Sequence, residues 1–168
     1  EVNYPMVQQL IRRQTEAGIP AVVICGTTGE SPTLSDAEKL ELFRSAKKYA
    51  RDSCLIIAGT GSNNTEHAAA LSKAAENSGA DALLVVSPYY NKATQKGLIA
   101  HFTATADLCD KPIILYNVPS RTGVNIEPAT YKALADHENI VAIKEANGDL
   151  SKIVETMSYV HDKLDLYS

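Results

Sequence analysis

The chain has 168 residues, 45% of them hydrophobic and 21% charged, and a net charge of −4. That balance belongs to a globular protein with apolar content for a sizeable core, and it excludes a disordered chain. It also speaks against a nucleic-acid binder, which carries a basic surplus, and no run of about 18 apolar residues offers a membrane span. The chain opens Glu1-Val2-Asn3-Tyr4, without an initiator Met or a basic-then-apolar signal pattern. A cytoplasmic protein is expected, whose natural start lies elsewhere.

In chain order, an amphipathic helix over about Tyr4–Ala17 comes first, with no strand before it. Five short apolar runs follow: Ala21–Cys25, Cys54–Ala58, Ala82–Val86, Pro112–Tyr116 and Ile140–Lys144. Leu164–Ser168 reads as the start of a sixth. Continuous apolar runs of this length suit strands buried on both faces of a parallel sheet. Helices are predicted between them. Ser35-Asp-Ala-Glu38 is a capping box opening a helix to about Arg51, with Leu40, Phe43, Ala46 and Ala50 along one face. A helix from near Asn64 stops at Gly79, a C′ residue. Others span about Thr94–Leu108, Pro128–Asp136 and Leu150–Lys163, with Pro128 at a first helical position and Asp149 as an N-cap.

This is the rhythm of βαβ units. It fits an open doubly wound sheet or a (β/α)₈ barrel. A barrel takes about 250 residues, so a barrel reading makes 1–168 a single partial domain lacking its first strand and its C-terminal units. The cysteines Cys25, Cys54 and Cys109 and the histidines His67, His101, His137 and His161 share no metal-ligand spacing. Packed thiols and surface or helical imidazoles are expected, and no metal.

In either architecture, reactive groups gather at the C-terminal ends of the strands. There lie Gly26-Thr-Thr-Gly-Glu-Ser31, Gly59-Thr-Gly-Ser-Asn63, Ser87-Pro-Tyr-Tyr-Asn91, the segment Tyr116–Gly123 and Lys144-Glu145. Lys144 closes an apolar run. A desolvated amine there could form a Schiff base with a carbonyl, or Lys144 could be a rim lysine paired with Glu145. The Gly26–Gly29 turn could aim amides and hydroxyls at a carboxylate, or need glycine only for positive φ. Gly59-x-Gly61 lacks the third glycine of a dinucleotide fingerprint. Tyr116 is a proton-transfer candidate or a packed core phenol. Tyr90 suits an interface or a site. Arg121 can grip a carboxylate or form a surface ion pair.

In this order, GTTGES at 26–31, SPYYNK at 87–92, YNVPSRTG at 116–123 and AIKEA at 142–146 resemble the dihydrodipicolinate synthase family of N-acetylneuraminate-lyase-like class I pyruvate aldolases. The resemblance covers essentially the whole chain. It implies a homotetrameric (β/α)₈ barrel that condenses pyruvate with L-aspartate 4-semialdehyde in lysine and diaminopimelate biosynthesis, with no cofactor. Carried over residue by residue, it makes Lys144 the Schiff-base lysine and Tyr116 the proton-transfer tyrosine. Thr28 becomes a holder of the pyruvate carboxylate. Thr27 and Tyr90 become the other members of a tyrosine–threonine–tyrosine relay, with Tyr90 serving a neighbouring subunit. Arg121 becomes the carboxylate-binding arginine at the entrance.

Positions matching Ser31, Asn63 and Tyr89 belong to a lysine-effector pocket in inhibited members. Lys39 and His67 stand where those members have a histidine and a glutamate, so weak feedback is expected. Two other readings stay open: a sister aldolase acting on N-acetylneuraminate or a keto-deoxy sugar acid, and a catalytically silent fragment. A nucleotide-binding sheet is more distant, because no phosphate fingerprint is complete.

Overall fold

The computed structural model describes residues 1–50, 52 and 54–168. Its elements in chain order are α1 (Tyr4–Glu16), β1 (Ala21–Ile24), α2 (Asp36–Tyr49), β2 (Leu55–Gly59), α3 (Thr65–Asn77), β3 (Ala82–Val86) and α4 (Gln95–Leu108). Then come β4 (Ile113–Asn117), α5 (Pro119–Thr122), α6 (Pro128–Leu134), β5 (Ile140–Glu145), α7 (Leu150–Val160) and β6 (Asp165–Tyr167). Two 3₁₀ turns, Thr27–Gly29 and Ser31–Thr33, fill the β1–α2 connection. All the expected strands and helices are present, with ends shifted by at most three residues. The sequence reading did not separate α5 or the 3₁₀ turns. The expected end of the second helix at Arg51 lies outside the described residues; α2 closes at Tyr49, capped by Ala50.

The helix starts form where side chains can cap them. The Ser35 hydroxyl accepts from the Glu38 amide at 3.3 Å, and the Glu38 carboxylate accepts from the Ser35 amide at 2.9 Å. That satisfies two N–H groups with no intrahelical partner. At α3 and α4 the cap is a single bond, the Asn64 side-chain oxygen accepting from the His67 amide and the Thr94 hydroxyl from the Gly97 amide. Asp149 accepts from the amides of Ser151 and Lys152 at the start of α7.

The strands form one six-stranded sheet in the order β1-β2-β3-β4-β5-β6, every neighbouring pair parallel. A doubly wound sheet reverses its order partway; a barrel does not. The sheet is therefore a partial (β/α) barrel, with β1 and β6 at its free edges.

The main core lies between the sheet and its helices. Ala58, Leu83, Val85, Leu115 and Ile143 on the outer face pack with Phe43, Leu98, Phe102 and Tyr131 from the helices. Side chains alternate across a strand, and burial follows: β4 reads buried, half-buried, buried through Ile113–Asn117. Burial on both faces, expected from the continuous apolar runs, therefore holds fully only on the helix-covered face. Leu42 was not on the predicted apolar face of α2, yet it is buried. This helix packs against α1 and α3 as well as the sheet, so its apolar stripe is wider than a single contact requires. The three cysteines are buried and free. His101 is buried on α4.

Candidate active site

A cavity of about 310 Å³ opens at the C-terminal ends of the strands. Its floor follows from strand alternation. Val23 and Cys25 on the first strand and its exit, Leu84 and Val86 on β3, Tyr116 on β4 and Lys144 on β5 all face it. Val86, Tyr116, Lys144 and Tyr167 are register partners from one strand to the next. The same pleat that buries Leu115 and Ile143 against the helices turns Tyr116 and Lys144 inward.

Lys144 is half-buried, with Nζ 4.3 Å from the centroid of the Tyr116 ring. The ring face attracts the ammonium and holds it over the phenol. Pairing with Glu145 does not occur. Glu145 is the next residue on the strand, so it faces the helices, where it is buried and bonded to Asn117 and Tyr131. Among the described residues Lys144 makes no ion pair, and neither does Arg121. The cavity thus contains an amine that can take a carbonyl carbon and, beside it, the ring of a tyrosine whose phenol lines the same space.

Another part of the wall is the turn after β1. Thr27, Thr28 and Gly29 line the cavity, with Thr27 and Thr28 exposed. The first N–H groups of a 3₁₀ turn find no acceptor inside it, so these residues offer amides as well as hydroxyls to a carboxylate. The glycines of this turn do not supply positive φ, as one sequence reading required. That conformation falls on the flanking Cys25 (φ 58°) and Glu30 (φ 53°), where an L-residue is strained. The backbone accepts strain on both sides of the threonines that face the cavity. Burial pushes the Cys25 thiol up to about 11, against an opposing pull from Lys39. It is a protonated lining group.

Gly59 and Gly61 serve packing. A Cβ at Gly59 would collide with the Cys25 carbonyl, and one at Gly61 with the Val86 amide. The exit of β2 therefore lies tight between its neighbours, where a side chain would close the mouth.

Arg121, on α5, is exposed and reaches the cavity rim. Its loop is tied to the Ser87–Asn91 loop by a hydrogen bond from the Tyr90 amide to the Thr122 carbonyl, 3.0 Å. Tyr90 itself does not line the cavity. It is 89% exposed, in the left-handed region at φ 71°, beside Lys92 and Arg121 on the outer surface. Of the six predicted site residues, the structure brings together Thr27, Thr28, Tyr116, Arg121 and Lys144, and it leaves Tyr90 pointing out of the chain. Among the described residues no cluster of three or more His, Cys, Asp or Glu side chains forms.

A second cavity of about 220 Å³ adjoins the first and shares Thr27, Ser31, Gly61, Val86 and Arg121 with it. Lys39, Ser62, His67 and Tyr89 also line it. Asn63 does not; its backbone carbonyl accepts from the Asn91 side-chain Nδ2. Behind the wall, Asp36 takes His67 Nε2 at 2.8 Å and Lys39 Nζ at 3.4 Å. The hydrogen bond from His67 holds the Asp36 carboxyl below its usual range.

Sequence reasoning missed the buried Asn117–Glu145–Tyr131 cluster behind Lys144. Its signal was the strand period: the residues following Tyr116 and Lys144 had to face the helices together.

Comparisons with known proteins bear on this geometry. The chain is 53% identical over 169 residues to the 4-hydroxy-tetrahydrodipicolinate synthase of Lachnoclostridium phytofermentans, covering 100% of the chain and 58% of that protein. It superposes on the dihydrodipicolinate synthase structure of Cyanidioschyzon merolae with lysine bound at a TM-score of 0.97 and 43% identity, covering 100% of this chain and 57% of that one. The chloride-inhibited synthase of Acinetobacter baumannii, solved with pyruvate, matches at a TM-score of 0.96 and 42% identity, covering 99% and 57%. The chain thus spans a little over half the length of these relatives. The family model for the dihydrodipicolinate synthetase family matches residues 1–168. The match runs end to end and takes in the inward lysine, the tyrosine beside it and the threonine turn that line one cavity, and the chain belongs to the dihydrodipicolinate synthetase family.

Proposed function

We propose that this chain forms the pyruvate-binding part of a lyase that condenses pyruvate with L-aspartate 4-semialdehyde, yielding 4-hydroxy-tetrahydrodipicolinate for lysine and diaminopimelate synthesis. The observation that carries the reading is the unpaired Lys144 amine, held inside the cavity 4.3 Å from the Tyr116 ring centroid. Lys144 attacks the pyruvate carbonyl and, with loss of water, forms an imine. Thr28 and the amides of its turn hold the pyruvate carboxylate. Proton loss from the methyl group gives an enamine, whose carbon attacks the aldehyde. Tyr116 carries the protons in and out of these steps, with Thr27 and Tyr90 as the remaining relay members. Arg121, exposed at the rim, binds the semialdehyde carboxylate through its fork.

Tyr90 faces away from its own chain's cavity, which supports a role in a neighbouring subunit and a homotetramer built from dimers. The free cysteines suit a reducing cytoplasm. Arg121 at the rim favours a carboxylate-bearing aldehyde over the sugar-acid substrates of sister aldolases. The test is a chimera in which this chain replaces the matching segment of the Lachnoclostridium phytofermentans relative. It is expected to consume pyruvate only with aspartate semialdehyde. Arg121→Ala is expected to raise the half-saturating semialdehyde concentration about tenfold while leaving that of pyruvate nearly unchanged. A folded chimera that cleaves N-acetylneuraminate instead, or does neither, contradicts the reading.

A further inference from the structure

We propose that Glu145 is a positioning residue: its buried carboxylate clamps the ends of β4 and β5 and thereby fixes Lys144 over Tyr116. This rests on the proposed role of Lys144. Glu145 is 3% exposed and has no cationic partner within ion-pair distance among the described residues. A buried carboxylate is costly unless its oxygens are hydrogen-bonded, and here both accept. Oε1 accepts from the Asn117 side-chain amide at 3.0 Å and the Asn147 backbone amide at 2.9 Å. Oε2 accepts from the Tyr131 hydroxyl at 2.9 Å and shares the Asn117 hydrogen at 3.2 Å, the other Asn117 Nδ2 hydrogen going to Asn125 Oδ1 at 2.8 Å. Burial and the adjacent carboxylate hold the Tyr131 hydroxyl protonated, its pKa far above the usual phenol range.

The place of this clamp gives it a purpose. Asn117 and Glu145 are register partners, and the adjacent rung is Tyr116 with Lys144. At the other end of the same strand pair the register shifts, between Ile113 and Ile114. The clamp sits at the regularly paired end, one rung beyond Tyr116 and Lys144. Asn117 is locked in turn: its side-chain oxygen accepts from the Ile126 amide at 3.1 Å, and its backbone carbonyl from the Ala146 amide at 2.9 Å. The carboxylate faces away from the cavity, so it acts through the lysine and touches no substrate.

The experiment measures borohydride trapping of the pyruvate imine in the full-length enzyme, per folded molecule, against pyruvate concentration. Misplacing a reacting amine costs rate, while the threonine turn that binds the carboxylate is untouched. Glu145→Ala and Asn117→Ala are each expected to lower the maximal trapping rate by about tenfold or more, with half-saturating pyruvate little changed. The double variant is expected to be no slower than the slower single one, because both break one clamp. Glu145→Gln keeps an acceptor for Asn117 and Asn147 and can donate to the Tyr131 oxygen, so it is expected to restore near-normal trapping. Should the alanine variants not fold, Tyr131→Phe removes one bond at constant shape and is expected to slow trapping several-fold. Normal rates in Glu145→Ala, or in Tyr131→Phe where that variant must stand in, overturn the proposal. So does a Glu145→Gln enzyme as slow as the alanine variant, or a loss confined to half-saturation. Failure of the unsubstituted enzyme to label at Lys144 would instead remove the functional reading beneath it.

Discussion

Lys144 and Glu145 are adjacent in sequence and opposite in environment. The two-residue period of a strand decides this, sending the amine to the cavity and the carboxylate to the helices. Their type and position were readable from the chain, but not which way each faces, because a lysine and a glutamate side by side read equally as a rim ion pair. Orientation needed the register of the neighbouring strand. His101 gives another case. Its helix was legible, but its burial was not, since burial comes from α3 and the rest of the core. Burial holds its imidazole down at about 4, so the neutral form is favoured. The unfolded chain therefore binds the extra proton first, and the folded state loses stability as pH falls from about 6.5 to about 4. The expected loss is on the order of 3 kcal/mol, read by denaturant unfolding across that range. His101→Gln is expected to flatten the slope; an unchanged slope would show that other groups cause it.

At the scale of elements, the sequence signals that held were those with local causes. The Ser35 capping box appears as expected, with both reciprocal bonds made. Ser35→Ala is expected to cost about 1 kcal/mol of stability, measured as a shift in urea midpoint at constant slope; no shift would mean that α2 is held by packing alone. Connections were less legible. The glycines around Thr27 and Thr28 do not supply positive φ, and the strain sits on Cys25 and Glu30. Gly59 and Gly61 are explained by the carbonyl and amide of adjacent strands, contacts that a single sequence does not contain. Leu42 escaped the predicted face of α2 for the same reason: barrel helices touch neighbours on both flanks.

For the whole molecule, a continuous strand order with every pair parallel distinguishes a barrel from a doubly wound sheet. Strand rhythm alone left both open; the quoted motifs favoured the barrel. The second cavity carries the regulatory expectation. An amino-acid effector would bring ammonium groups against Lys39 and His67, with Asp36 already engaged by both. Titration of the assembled enzyme with L-lysine is expected to leave its rate nearly unchanged, and strong inhibition would contradict this.

The most direct measurement is to incubate this chain with pyruvate and borohydride and to map the adduct by mass spectrometry, with the Lachnoclostridium phytofermentans relative as control. Reduction converts an imine into a stable amine and so reports on the lysine that formed it. The account predicts one pyruvyl adduct, on Lys144, absent in Lys144→Ala. Labelling of a different lysine, or no labelling of Lys144 while the control labels normally, would contradict the claim that these residues assemble the pyruvate site.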